Sequence, residues 1–326
     1  MTLRKPSCVV LGGGGFIGTN LCRRLADSGH RVRAFGRRQP FADGLSGVEW
    51  HAGDFNDTAS VAAAIESFDV VFHLIHATMP QAADLDIQGD VRNNVLPSIA
   101  LLEQCHRAGT KRVVFASSGG TVYGNARQIP TPETAPTDPI CAYGISKLAI
   151  EKYLALFEHR FGLGFRVLRI ANPYGPFQFA LKNQGVIAAL IGRALRDEPV
   201  EIWGDGSVVR DFVFAEDVAD ALIAAATDQG DERVFNIGGG QGRSLRDIVA
   251  AIEHAMGKRL RLEWKPARAL DVPVSVVSVE RAARVLHWVP ATPFESGLER
   301  TIAWATATAA LPATGGASVR LSPETR

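Results

Sequence analysis

Tyr143 and Lys147 stand four residues apart in Tyr143-Gly144-Ile145-Ser146-Lys147. The apolar positions that follow, Leu148, Ile150, Leu154 and Phe157, recur at helix-compatible intervals. On a helix, a pair at that spacing shares one face, one turn apart. A free tyrosine titrates near about 10, so it is a poor base at neutral pH. A neighbouring ammonium favours the phenolate, and a lowering of about 3 units corresponds to roughly 4 kcal/mol of differential stabilisation. The chemistry on offer is proton transfer with a hydroxyl, by a tyrosine that a lysine keeps acidic. Tyrosine and lysine also meet at this spacing on ordinary amphipathic helices, so the start of the chain decides what the pair means.

There, Cys8-Val9-Val10-Leu11 reads as a buried strand and runs directly into Gly12-Gly13-Gly14-Gly15-Phe16-Ile17-Gly18. A helical segment follows from Thr19 to Ala26, closing at Ser28-Gly29, and His30 to Phe35 reads as a second strand. Strand, glycine-rich turn, helix and strand in this order form the context a dinucleotide-binding turn needs. The spacing Gly12-x-x-Gly15-x-x-Gly18 permits a tight turn and close backbone approach to a pyrophosphate, whose charge then faces the helix N-terminus. The fold class expected is α/β, with a doubly wound parallel sheet.

The composition is that of a globular chain. With 326 residues there is enough material for one large or two modest domains. The 35 basic residues nearly balance 34 acidic ones for a net charge of +1, which gives no electrostatic case for nucleic acid or an anionic membrane. The four cysteines, Cys8, Cys22, Cys105 and Cys141, are scattered with no metal-ligand spacing, as expected of buried thiols in a reducing cytoplasm. No signal peptide and no membrane span is expected, because no apolar run approaches the required length.

Taken with Tyr143-x-x-x-Lys147, the glycine spacing resembles the extended short-chain dehydrogenase/reductases, specifically the NAD-dependent epimerase/dehydratase family of nucleotide-sugar enzymes. The resemblance runs from about residue 7 to residue 305. It implies a Rossmann-type domain over 1–175 and a smaller mixed α/β substrate domain over 176–309, with some chain exchange between them. Residues 310–326, rich in Gly, Pro, Ser and Thr, read as a mobile tail.

The resemblance also assigns roles. Gly12, Gly15, Phe16, Ile17 and Gly18 would cradle the cofactor, Asp54 and Phe55 would meet its adenine, and Leu74 would lie beside it. Asn94 would order the active site, while Tyr143 and Lys147 would serve both cofactor and chemistry. Where NAD-using members carry an acidic residue after the second strand, this chain has Gly36-Arg37-Arg38. Arginines there suit a 2′-phosphate through charge-assisted contacts, so family habit favours NAD while Arg37 and Arg38 favour NADP. His76 occupies a position that is small in the family, and it reads as a structural group.

After the fifth strand the family places a catalytic Ser or Thr three residues before the valine of Val-Tyr-Gly. That position here is Gly119. Ser118 and Thr121 are the nearby hydroxyls, and Thr121 is preferred because an extended strand would point it the same way as residue 119. A serine restored at 119 would then be tolerated. Dehydratases carry an acid at the position of Thr121, and an alcohol cannot replace it, which argues against 4,6-dehydration.

In the second half, Asn172, Arg210, Arg268 and Asp271 match residues that hold the substrate's sugar, diphosphate and ribose. The implied substrate is a nucleotide-diphosphate sugar, a UDP-sugar foremost, with no metal and with a homodimer as the assembly. The leading activity is 4-epimerisation through a transient 4-keto sugar. An NADPH-dependent 4-keto-sugar reductase and a non-catalytic dinucleotide-binding protein are the alternatives.

Overall fold

The computed structural model describes residues 5–178, 185–266 and 272–310. Its strands in chain order are β1 (Cys8–Leu11), β2 (Val32–Gly36), β3 (Glu49–Ala52), β4 (Val70–His73), β5 (Arg112–Ser118), β6 (Gly164–Ile170) and β7 (Asn172–Tyr174). There follow β8 (Val200–Trp203), β9 (Val209–Phe214), β10 (Val234–Ile237), β11 (Gly242–Ser244), β12 (Leu262–Lys265) and β13 (Val274–Ser275). Seven of them form one sheet in the order β10-β6-β5-β4-β1-β2-β3, with every pairing parallel.

A parallel sheet of this kind is covered by helices on both faces, which is why its strands are continuously apolar rather than alternating. In β1 all four residues are buried. Cys8 and Val10 join the core under the helix Ala215–Thr227, through Val218, Ala221, Leu222 and Ala225. Val9 and Leu11 join the opposite core, with Leu101, Leu102, Ile150, Leu154 and Phe157. The helix Ala142–Phe161 therefore lies on the second face, and Gly162 in the left-handed conformation (φ 71°) ends it.

Strand order reverses between β1 and β4, so the crevice at their carboxyl ends is the topological switch point where ligands bind in such sheets. Beyond it, β9 pairs with β7, β11 and β13, and β8 pairs with β12. This second unit has its own core of Ile187, Leu190, Ile191, Ile202, Ile248, Ile252 and Leu298. The chain returns to the first sheet for β10, which pairs with β6. The final helix, Phe294–Ala310, includes the residue at which the tail was expected to begin, and 311–326 lie outside the described residues. No helix among the described residues is long and apolar enough to cross a membrane.

Candidate active site

The glycine-rich turn follows β1 at the switch point. Gly12 has φ +88°, a conformation that favours glycine. A Cβ on Gly18 would stand 2.1 Å from the Gly12 carbonyl oxygen, so helix and turn approach this closely only as glycines. The helix Phe16–Asp27 starts after Gly15 with no side-chain cap. Its leading N–H groups are left for an anionic ligand, which suits a pyrophosphate. Phe16 and Ile17 lie in that first turn.

Arg37 and Arg38 are exposed just beyond β2. A Cβ on Gly14 would meet the Arg38 carbonyl oxygen at 2.5 Å, so this segment lies directly against the glycine turn. Asp54 is exposed and accepts from the Asn56 backbone N–H at 2.9 Å, with buried Phe55 beside it. Leu74, half-buried, extends the register of β4 by donating its N–H to Leu11 O at 3.1 Å.

Asn94 lies in the π-helical turn Val91–Val95 that leads into the helix Leu96–Arg107. Its Oδ1 accepts from the Ala77 N–H at 2.7 Å, and its Nδ2 donates to Thr78 Oγ1 at 3.0 Å and to Asp90 Oδ1 at 2.9 Å. It thereby ties the segment after β4 to the helix. Asp90 is fully buried and accepts from the hydroxyls of Thr78 and Ser146 as well. Asp90, Thr78 and Ser146 escaped the sequence reading. Asp90 stands four residues before Asn94 and Ser146 between Tyr143 and Lys147, yet only the fold brings them together.

Tyr143 and Lys147 share a face of the helix Ala142–Phe161, as the spacing predicts. A Cβ on Gly144 would stand 2.8 Å from Thr121 O and 2.9 Å from Pro139 Cβ, so the helix presses here against the segment after β5. Lys147 is buried, donates Nζ to Ala116 O at 2.7 Å, and lies 5.6 Å from the Tyr143 ring centroid. Burial brings its pKa down to about 7, with Glu151 and Asp90 holding it up against that.

The lowering expected of the Tyr143 phenol calls on an oxidised nicotinamide as well as Lys147; the protein's own burial of the group acts the other way. Burial pushes the Tyr143 phenol well above its ordinary value, with Cys141 and the Asp90 carboxylate acting in the same direction. The physical reason is that desolvation acts on the whole phenolate, while the nearby amine is anchored on a backbone carbonyl.

The segment after β5 also differs from expectation. The strand stops at Ser118, and residues 119–123 form a turn in which the Val122 N–H donates to Ser118 O at 3.3 Å. Strand alternation therefore does not relate Thr121 to Gly119. Thr121 Oγ1 is buried without a hydrogen-bond partner among the described residues, and Ser118 is half-buried at the strand's end. A Cβ on Gly119 would stand 2.9 Å from Arg169 O and 3.2 Å from Val277 Cγ1, so a serine restored there is opposed by backbone.

Arg169 is turned inward: its Nη2 meets Glu151 Oε2 at 2.6 Å and its Nη1 donates to Tyr123 Oη at 2.9 Å. Ser117 Oγ donates to the same Glu151 at 2.6 Å, and Tyr123 Oη donates to Asn236 Oδ1 at 2.7 Å. This buried network supports the floor of the site. From the second unit, Asn172 Nδ2 donates to Asp211 O at 2.9 Å, and Arg210 Nη1 donates to Val209 O at 2.9 Å and Val272 O at 2.7 Å. Both residues are half-buried. Arg268 and Asp271 lie outside the described residues.

Comparison with known proteins agrees with this geometry. Residues 8–238 match the NAD dependent epimerase/dehydratase family. A UDP-glucose 4-epimerase of Mycolicibacterium smegmatis is 33% identical over 90% of this chain and 96% of its own. The crystal structure of UDP-glucose 4-epimerase from Thermotoga maritima with UDP-glucose superposes with a TM-score of 0.88 at 33% identity, over 93% of this chain and 99% of that one. That of the Thermus thermophilus UDP-glucose 4-epimerase complex with NAD gives 0.86 at 31% identity, over 92% and 99%. The switch-point crevice, its glycine turn and the helix bearing Tyr143 and Lys147 are thus those of a known lineage, and the chain belongs to the NAD-dependent epimerase/dehydratase family.

Proposed function

We propose that this protein is a nucleotide-sugar 4-epimerase that holds NAD and acts on a UDP-sugar by transient oxidation at C4. The observation that carries the reading is the placement of Tyr143 and Lys147 one turn apart beside the crevice that the uncapped glycine turn opens. Relatives and structural neighbours named for UDP-glucose 4-epimerase activity and for complexes with UDP-glucose and NAD support the substrate and cofactor.

The nicotinamide would accept the C4 hydride and return it to the sugar's other face. Tyr143 takes the C4 hydroxyl proton in the first half and gives it back to the 4-keto oxygen in the second. Burial keeps its phenol protonated in the protein alone, the form the second half uses; the first half needs the extra positive charge of a loaded cleft. Gly12, Gly15, Phe16, Ile17 and Gly18 hold the pyrophosphate, Asp54, Phe55 and Leu74 line the cofactor, and Asn94 fixes the loop beside it. The orphaned Thr121 hydroxyl would meet a substrate hydroxyl, and Asn172 and Arg210 would bind the sugar nucleotide, a role that the resemblance also gives to Arg268 and Asp271. The exposed Arg37 and Arg38 against the glycine turn favour NADP as a second reading of the cofactor.

The protein works in the cytoplasm as a homodimer, through the helices Leu96–Arg107 and Ala142–Phe161, which expose Leu96, Ile145, Leu156 and Phe161. The test is Tyr143→Phe: it should keep its dinucleotide, identified by mass spectrometry, and lose about 100-fold or more in UDP-glucose/UDP-galactose interconversion. Turnover within a few-fold of the unaltered protein removes Tyr143 from the mechanism. Stoichiometric consumption of NADPH would make the protein a reductase instead.

A further inference from the structure

His76 follows β4 at the edge of the crevice, and its side chain is only 6% exposed. The imidazole stands edge-on to the Tyr143 ring, with centroids 4.4 Å apart and planes at 66°. Neither ring nitrogen has a hydrogen-bond partner among the described residues. Nε2 nevertheless lies 3.5 Å from Asp90 Oδ1, at the outer limit of a hydrogen bond. Burial pushes the imidazole pKa down to about 2, with Lys147 and His73 acting in the same direction, so the ring is neutral and carries one N–H.

Asp90 is fixed from three sides: by Asn94 Nδ2 at 2.9 Å and by the hydroxyls of Thr78 and Ser146. The imidazole thus lies between the Asp90 carboxylate and the Tyr143 ring. A phenyl ring would fill the same space without burying two polar atoms, so the N–H has a use there, and Asp90 is the acceptor within reach. A shift of about 0.5 Å brings Nε2–H onto Oδ1 at ordinary hydrogen-bond length.

We propose that His76 is a positioning residue which, tied through Nε2 to Asp90, fixes the orientation of the Tyr143 ring for proton transfer. This rests on the reading of Tyr143 as the acid–base group. It gives a role to the histidine that stands where the family carries a small residue, and it extends the order imposed by Asn94 and Ser146 to the phenol itself.

The experiment compares His76→Ala, His76→Phe, Tyr143→Phe and the His76→Ala/Tyr143→Phe pair for kcat, KM and bound dinucleotide. His76→Ala should lower kcat by about 100-fold, the scale of a misplaced reacting group, with KM within about twofold and the dinucleotide retained. His76→Phe keeps a ring but not the tie, and should lose about 10-fold; it also keeps the test open if the alanine variant fails to fold. Because His76 acts through Tyr143, adding His76→Ala to Tyr143→Phe should cost less than about threefold more. The proposal is overturned by an unchanged kcat in His76→Phe, by His76→Ala acting on KM, or by full multiplication of the two effects in the pair. Near-normal turnover of Tyr143→Phe would instead defeat the acid–base reading, whatever His76 does.

Discussion

At the scale of single residues, local geometry after β5 closes one position and leaves a hydroxyl unpaired at another. Gly119 stands where the family resemblance implies a hydroxyl to partner the tyrosine, and its Cα is closed off by Arg169 O and Val277. Thr121, two residues on, carries a buried hydroxyl with no partner among the described residues. An orphaned buried hydroxyl is unfavourable unless a ligand completes it. Thr121→Val should therefore lower turnover while stabilising the fold by about 1–3 kcal/mol, because the shape is kept and the unpaired hydroxyl is removed. Gly119→Ser should instead destabilise by about 1–3 kcal/mol through the forced contact with backbone. Urea unfolding and steady-state rates on the two variants check this; a stable Gly119→Ser with a raised rate would return the role to position 119.

Among the elements, β9 links the two units. Its Asp211 is buried and accepts from the Gly239 N–H at 2.6 Å, just after β10, and from the Val277 N–H at 3.3 Å, just after β13. Burial raises its carboxyl from 3.8 to about 6, against the pull of those backbone N–H groups. The folded chain thus holds this proton more tightly than the unfolded chain does. The resulting stabilisation is complete below the unfolded value and is lost as pH rises through about 6, a swing of about 3 kcal/mol. Asp69 acts in the opposite sense: hydrogen bonds from Lys111 and Ser7 lower it to about 2, so its contribution is lost only as pH falls towards that value. Asp211→Asn removes the first swing and leaves the second. Denaturant unfolding at several pH values should show the unaltered protein losing stability relative to Asp211→Asn between about pH 4 and pH 7. A gap that does not change with pH would show that Asp211 does not bind its proton in this way.

For the whole molecule, the helices Leu96–Arg107 and Ala142–Phe161 cover one face of the sheet and present Ile99, Tyr153, Leu156 and Phe161 around an open cleft, with Glu103, Arg107 and Arg160 at its rim. Apolar side chains ringed by charge on two adjacent helices are what a second copy of the same surface would cover. Leu156→Glu should convert a dimer into a monomer in light scattering, whereas a dimer indifferent to that change has its interface elsewhere. The sequence by itself determined the parallel sheet, the glycine turn and the helix carrying Tyr143 and Lys147, because these depend on local periodicity and on backbone freedom at Gly12 and Gly18. It also marked Asn94, though of its partners only Asp90 is close in sequence, and Ala77 and Thr78 lie 17 and 16 residues away. Only the tertiary structure decided that the strand ends at Ser118, that Arg169 turns inward to Glu151, and that burial raises the phenol of Tyr143. It alone brought His76 and Asp90 beside that phenol. Close packing and desolvation depend on which distant segments meet, and no stretch of the chain carries that information on its own.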